Sequence, residues 1–296
     1  MHFVSIENIS FKTSNISIGN NAFSNCIKFI RISIESEEVS IGYRSFNPCS
    51  VLKSIVIIGR KSITFIDQSF YESRQVKDVT LIGNKINMAK HVFYNCVNMN
   101  SLFIETKSIS IGANSFQLCS NLENLRIDGI SIFVDNYAFS SCNKLINVSF
   151  RADDISIGTQ TFNPCTALQN IEILGNKTTK IGEKSFYECK NIKNFLLTAN
   201  NISIGLQSFY KCSMIDDISI KANIFSIGYQ SFYLCSSLKA LSIESDSISI
   251  SEQSFTSCNN LINVLLDGEE VSIGNNAFTS CPNIKQLKID GNLTSI

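Results

Sequence analysis

A phenylalanine recurs every 23 or 24 residues along the whole chain, twelve times in all. Three positions after each of these phenylalanines stands a cysteine, except in the third unit, where Ser73 takes its place. This column uses all 11 cysteines of the chain. A period of this length indicates a repeat architecture in which every unit is one small structural element. The phenylalanines are Phe23, Phe46, Phe70, Phe93, Phe116, Phe139, Phe162, Phe186, Phe209, Phe232, Phe255 and Phe278.

Each unit contains two short segments in which apolar and polar residues alternate. Residues 125–127 (Leu-Arg-Ile) and 109–111 (Ile-Ser-Ile) show this period of two, which predicts two short strands per unit. The three-residue spacing of Phe and Cys predicts a short helical or 3-10 turn between the strands. A glycine follows the second strand in eight of the twelve units. We expect this glycine to allow a sharp turn or a positive φ.

One unit is too short to enclose a core, but stacked units bury their apolar side chains against their equivalents above and below. Strands in register, about 4.8 Å apart, then form two parallel sheets along the stack. We predict that residues 1–296 form a single, mostly β solenoid domain of about twelve repeats. Ile9 and Phe11 match first-strand positions, and Ile296 precedes an expected glycine. We therefore expect the chain to be cut within a repeat at both ends.

The unit Ile-Gly-x-x-Ala/Ser-Phe-x-x-Cys-x-x-Leu-x-x-Ile-x-Ile resembles the BspA-like leucine-rich repeat, and the resemblance extends from Ile6 to Ile296. It implies a right-handed leucine-rich-repeat solenoid. It also implies the family's usual setting, which is that of cell-surface or secreted proteins of bacteria and protists, often linked to adhesion. The first residues lack the basic and apolar pattern of a signal peptide, so a cytoplasmic location stays an alternative.

Charge and histidine content narrow the classes of function. The 25 basic side chains equal the 25 acidic ones, whereas nucleic-acid binding and docking to anionic membranes use a basic excess. His2 and His91 are the only histidines, and no catalytic constellation accompanies them. We therefore expect neither an enzyme nor a cofactor. No apolar run is long enough to span a membrane.

The cysteine column has three interpretations, which are a disulfide set, a metal array and a ladder of buried thiols. No CxxC pair occurs, and each unit contributes a single cysteine, which does not favour a zinc site. We favour buried thiols that pack beside phenylalanine as small apolar side chains. Ser73 agrees with this interpretation because serine is nearly isosteric with cysteine.

Solenoids bind partners on an extended sheet face, so the outward residues of the first strands are the candidate site. We expect this face to be concave and mostly polar. The apolar exceptions are Val56, Ile58, Ile82 and Phe103, with Leu174 and Leu196 as a second, smaller set. Adjoining exposed apolar residues with a charged rim are typical of protein interfaces. The alternative is that neighbouring side chains cover these residues.

These observations predict a non-enzymatic protein-interaction module. Surface adhesion, or binding of a host or partner molecule, would use the concave face, and the ligand would be a protein or a glycoconjugate. One alternative is a structural protein whose copies associate end to end. Another alternative is an intracellular scaffold.

The thiol-ladder interpretation predicts the number of free thiols. After unfolding without a reductant, titration with a thiol reagent should give all 11 cysteines as free thiols. A count far below this would show that disulfides or bound metal occupy the column.

Overall fold

The computed structural model describes residues 6–295, and these divide into two compact units between Leu145 and Ile146. In each unit the chain winds into coils that are joined by parallel β-ladders. Each coil carries strand segments followed by a turn segment with the repeated Phe and Cys. Ile296 lies outside the described residues, and the single continuous domain over residues 1–296 stays a prediction.

The strands carry the labels β1 to β18 in chain order. In the first unit they are β1 (Asn8–Lys12), β2 (Asn15–Ile18), β3 (Arg31–Ile41), β4 (Ser54–Phe65), β5 (Asp78–Met88), β6 (Ser101–Ile111), β7 (Asn124–Asp128) and β8 (Ser131–Val134). In the second unit they are β9 (Asn147–Ile157), β10 (Asn170–Ile181), β11 (Asn194–Thr198), β12 (Asn201–Ile204), β13 (Asp217–Ile227), β14 (Ala240–Ile250), β15 (Asn263–Asp267), β16 (Glu270–Ile273), β17 (Gln286–Asp290) and β18 (Leu293–Ser295).

The prediction of two separate short strands per repeat is only partly correct. Five coils have a pair of short strands, such as β7 and β8, whereas in eight coils of the described chain both segments belong to one strand of 11 or 12 residues. The two segments join because the ladder with the neighbouring coil continues through the bend, as between β5 and β6. Small residues such as Gly83 lie at the bend and allow the ladder to continue through it.

Parallel register places equivalent residues of successive coils side by side. Ile32 pairs with Ile55, and Ile55 pairs with Val79, so the inward column of the first strands is apolar throughout these coils. Ile55 and Ile57 are fully buried, while the alternate residues of β4 reach the surface. The predicted inward and outward positions are therefore correct for this strand.

The repeated phenylalanines stack as parallel rings inside both units. In the first unit the centroids of Phe46 and Phe70 are 4.8 Å apart with an interplanar angle of 3°. In the second unit the rings of Phe209 and Phe232 are 4.9 Å apart with the same angle. This separation matches the spacing of neighbouring strands. The aromatic column therefore has the same period as the backbone ladder.

The predicted helical or 3-10 turn is wrong, because no helix occurs among the described residues. His91 and Asn95, on either side of Phe93, have φ angles of 57° and 59°, and such left-handed residues interrupt any helical run. Their amides and that of Phe93 donate to carbonyls of the next coil, at 2.8–3.0 Å. The turn is therefore held by bonds to the next coil together with short bonds within the coil, such as that from the amide of Cys96 to the carbonyl of Phe93 at 3.3 Å.

The glycine column also has a different cause from the positive φ that we expected. No described glycine has a positive φ. A Cβ atom on Gly112 would lie 2.3 Å from the carbonyl oxygen of Ala89 in the preceding coil. A Cβ atom on Gly205 would lie 2.9 Å from the amide nitrogen of Glu183. Glycine is favoured here because the backbones of two coils approach closely.

The residue directly before the repeated phenylalanine is serine in seven of the twelve units, and these serines are buried. The hydroxyl of Ser208 donates to the carbonyls of Gly182 and Gly205, at 2.8 Å each, and so links two coils. Thr179 on β10 is also fully buried, but its hydroxyl has no hydrogen-bond partner within the described chain. Its ladder partners Ile155 and Ile202 are apolar, so Thr179 places an unsatisfied polar group in an apolar column.

The Thr179→Val variant should be more stable than the native chain. Valine has nearly the same shape and removes a buried hydroxyl that forms no hydrogen bond, which should raise the free energy of unfolding by about 1 kcal/mol. Equilibrium urea unfolding measures the difference. Thr178→Val is the matched control, because the neighbouring Thr178 is only half-buried and should give little change. Destabilisation by Thr179→Val would show that the hydroxyl has a partner.

Candidate partner-binding surface

Strands β4, β5 and β6 bring the four main candidate residues together on one sheet face. Ile58 of β4 pairs directly with Ile82 of β5, and Val56 lies two residues before Ile58 on the same outward face. Val56 pairs with Thr80, and Thr80 pairs with Phe103 of β6. Val56, Ile58, Ile82 and Phe103 together are called the apolar patch below. Thr80 completes it, and its methyl group continues the row between Val56 and Phe103.

The members of the apolar patch differ in their exposure to solvent. Phe103 is 52% exposed, whereas Val56, Ile58 and Ile82 are half-buried by their neighbours. Neighbouring side chains therefore cover the apolar patch only in part. A shallow groove of about 320 Å³ begins at Ile58 and Ile82 and extends past Glu105. A partner side chain placed in this groove would contact apolar and charged groups together.

Charged side chains border the apolar patch on both sides. Glu35, the ladder partner of Ile58, accepts hydrogen bonds from Lys12 and Arg60, at 3.0 and 2.7 Å. The bond from Lys12, helped by Arg60, lowers the pKa of the Glu35 carboxyl, which is therefore ionised at neutral pH. On the opposite side, the exposed carboxylate of Glu105 lies beside Ile82 in the ladder, and no ion pair within the described chain holds it.

The second candidate set does not form a continuous row. Leu196 of β11 pairs with Glu172 of β10, whereas Leu174 pairs with Thr198, so the two leucines are diagonal neighbours. Leu196 is 46% exposed and Leu174 is half-buried. Glu172 is held by Arg151 at 2.9 Å, so a charged pair interrupts the apolar surface. This set offers a smaller apolar contact than the patch in the first unit.

Several exposed apolar residues were not predicted from the sequence, and two of them, Ile130 and Phe133, lie in or next to β8. Ile130 is 56% exposed and Phe133 of β8 is 44% exposed. Phe133 pairs with Ser110 and occupies a position that is serine in most repeats. The replacement of serine by Phe133 at this position is the feature of the sequence that could have identified it as an exposed apolar residue. Phe133 belongs to the second strand of its coil and Ile130 precedes that strand, so neither lies on the first-strand face.

The cysteines form the predicted thiol ladder in both units. The thiol of Cys119 donates to the carbonyl of Phe93 at 3.4 Å, and that of Cys212 donates to Phe186 at 3.2 Å. Ser73 makes the equivalent bond to Phe46 at 3.0 Å, so it replaces cysteine in the same role. Every described cysteine is a free thiol, and all except Cys26 and Cys281 are buried.

Burial determines the acidity of the inner thiols. It raises the pKa of Cys189 to about 12 and the pKa of Cys119 well above its ordinary value. The outer thiols behave differently, since hydrogen bonding with the thiol of Cys49 lowers the pKa of Cys26. Thiolate is the nucleophilic and metal-binding form, so the inner column is chemically inert at neutral pH.

The remaining chemical candidates do not come together in one site. His91 packs edge-on against Tyr71 and Tyr94, with centroids 6.4 and 5.5 Å away, and its partial burial lowers its pKa. Within residues 6–295, no three His, Cys, Asp or Glu side chains are grouped so as to hold a metal ion. That part of the chain also has no helix that is long and apolar enough to cross a membrane.

The sequence matches the family described as BspA type leucine rich repeat region (6 copies), over residues 1–104, 85–215 and 179–296. These matches together span the chain. No curated protein matches it in sequence.

Among solved structures, a leucine-rich repeat protein from Bacteroides ovatus is similar, with 22% identity and a TM-score of 0.50. The match covers 95% of this chain and 78% of that one, and it supports the leucine-rich-repeat fold. A leucine rich cell surface protein from Faecalibacterium prausnitzii has 17% identity and a TM-score of 0.36, covering 97% of this chain and 88% of that one. The T. pallidum leucine rich repeat protein has the same identity and TM-score, covering 71% and 78%.

Proposed function

We propose that this chain, which belongs to the BspA-type leucine-rich repeat family, binds a protein partner on the outward face of its first strands. Repeats of this family are generally protein-interaction modules, and solenoids present extended surfaces to their partners. In this proposal the chain has no catalytic role, and its ligand needs to fit a sheet surface rather than an enclosed cavity.

The observation that carries the proposal is the continuity of the apolar patch. Ile58 and Ile82 are direct ladder partners, and Phe103 exposes about half of its surface beside them. Aromatic residues are enriched at interfaces, where a large ring fills a pocket of the partner. A sheet face that needed only to stay solvated would not require three aliphatic side chains and a phenylalanine in adjoining positions.

The charges around the patch define the partner's chemistry. Glu35 is already neutralised by Lys12 and Arg60, whereas Glu105 has a free carboxylate beside Ile82. We therefore expect a protein partner that presents an apolar side chain next to a lysine or arginine. Its apolar group would contact Phe103 and Ile82, and its cation would reach Glu105. This chemistry suits a protein better than a glycan, which is mostly hydroxyl groups.

The proposed setting is the cell surface or the secreted fraction, with adhesion as the role of the interaction. This part of the proposal rests on the family resemblance. An intracellular scaffold is the alternative, and an impermeant biotin reagent added to intact cells separates the two locations. A structural protein that stacks end to end is the second alternative. Sedimentation velocity over a range of concentrations would then show particles that grow into rods.

Substitution at the apolar patch should weaken partner binding. A photo-crosslinking residue in place of Thr80 would first capture and identify the partner. The double variant Ile82→Ser and Phe103→Ser should then raise the Kd for the purified partner by at least about tenfold, because central aromatic and aliphatic contacts carry most interface energy. The thermal midpoint should change little, because Phe103 and Ile82 lie on the outward face.

The matched control is the double variant Ile130→Ser and Phe133→Ser. It removes the same two residue types from exposed positions outside the apolar patch. Binding should be unchanged in this control. Native affinity in the patch variant, or an equal loss in both variants, would contradict the proposed site.

A further inference from the structure

The first-strand ladder of the second unit is interrupted between β11 and β13. Among the described residues, no β-ladder pairs Asn194–Thr198 of β11 with residues 217–222 of β13. This interruption, defined by these two segments, is called the breach below. The amide of Asn194 still donates to Gln169 in the preceding coil at 3.1 Å, but Asp217 has no equivalent bond.

The breach is confined to one pair of segments. Strands β10 and β11 pair over five residues, and β13 and β14 pair along nearly their whole length. The second-strand segments on either side of the same junction also pair, with Asn201 opposite Ile224. The aromatic column continues as well, since the ring centroids of Phe209 and Phe232 are 4.9 Å apart. Residues 217–222 therefore have a paired strand only on the side of β14, whereas the second-strand segment of the same coil pairs with both neighbouring coils.

We attribute the breach to Phe195. Its position on β11 is the first inward position of the strand, where its ladder partner Ile171 and the equivalent Ile218 are aliphatic. The Phe195 ring packs edge-on against Phe209, with centroids 4.9 Å apart, and reaches toward Phe232 of the next coil at 6.3 Å. A ring at this place needs more room than an aliphatic side chain, so it separates the coils.

A ladder of side-chain amides also ends at the breach, but it does not cause the interruption, because Asp78 at the same repeat position of β5 pairs on both sides. The side-chain amides of Asn147, Asn170 and Asn194 form a ladder in which each amide donates to the preceding one at 2.5 Å. The next position is Asp217, which lacks the side-chain amide that would donate to Asn194. The amide ladder therefore stops where the backbone ladder also stops.

The breach is open to solvent on its outer side. A groove of about 520 Å³ lies over its start and is lined by Phe195, Leu196 and Asp217, among others. Phe195 is only half-buried, in contrast to Ile171 at 2% exposure. The inward side chains Ile218 and Ile220 stay buried, at 2% and 3% exposure. The β-ladder between β11 and β13 is thus absent, although the inward apolar side chains stay buried.

We propose that residues 217–222 are a local opening unit, a segment of the first sheet that separates from β11 and returns while the coils around it stay folded. Segments with few protected backbone hydrogen bonds open at the lowest free energy. Opening at the breach exposes the ring of Phe195 and a row of main-chain donors and acceptors. The local opening unit lies in the second unit and is independent of the apolar patch on β4 to β6.

Hydrogen exchange followed by mass spectrometry with residue resolution tests the proposal within one molecule. In the native chain, the amides of residues 217–221 should exchange at least about tenfold faster than those of residues 240–244, which have the same repeat positions in the paired strand β14. Equal protection of the two segments would overturn the proposal. Because both segments belong to the same protein, this comparison needs no variant.

Closing the breach provides the second test. The variant Phe195→Ile restores an aliphatic inward residue, so it should slow exchange at residues 217–221 by at least about tenfold. Ile171→Val, a change in the same column one coil earlier, is the control and should leave this segment unchanged. Rapid exchange that persists in the folded Phe195→Ile variant would contradict the assignment of the breach to Phe195.

Discussion

Stacking of identical side chains between successive coils is the interaction on which the rest of the structure depends. The rings of Phe46, Phe70 and Phe93 stack at 4.8–5.1 Å, and the neighbouring thiols each donate to a backbone carbonyl one coil away. No coil encloses a core alone, so every buried group is completed by its neighbours. Phe and Cys are therefore strictly spaced in the sequence, because a residue shifted from its position would lose its contacts with both the preceding and the following coil.

The same dependence on neighbours explains the turn. A helical segment would satisfy its amides within the coil, but here the amides of His91, Phe93 and Asn95 bond to the next coil. Amides at alternate positions point along the stack only if residues such as His91 adopt positive φ. The cost of such residues, about 1 kcal/mol each, is offset by bonds that a helical turn would not form between coils.

The sequence therefore predicts what repeats and not what departs from the repeat. Alternation in residues 54–58 correctly predicts that Ile55 and Ile57 face inward and that Val56 and Ile58 face outward. The helical turn was mispredicted because a three-residue spacing fits both a helical turn and a chain of turns bonded to a neighbour. The breach depends on how one ring, that of Phe195, is accommodated between coils, and single-sequence periodicity holds no information about that. The exposed Phe133 was not predicted because we expected a partner-binding surface only on the first strands.

A double-mutant cycle on the aromatic column tests the central claim most directly. Phe209→Leu and Phe232→Leu, made singly and together, measure the coupling between rings that are 4.9 Å apart. Coupling of about 0.5–1.5 kcal/mol is expected for this pair. Phe186 and Phe232, which have the ring of Phe209 stacked between them, should give a coupling near zero. Equal coupling in both pairs, or none in the adjacent pair, would contradict an in-register stack of coils.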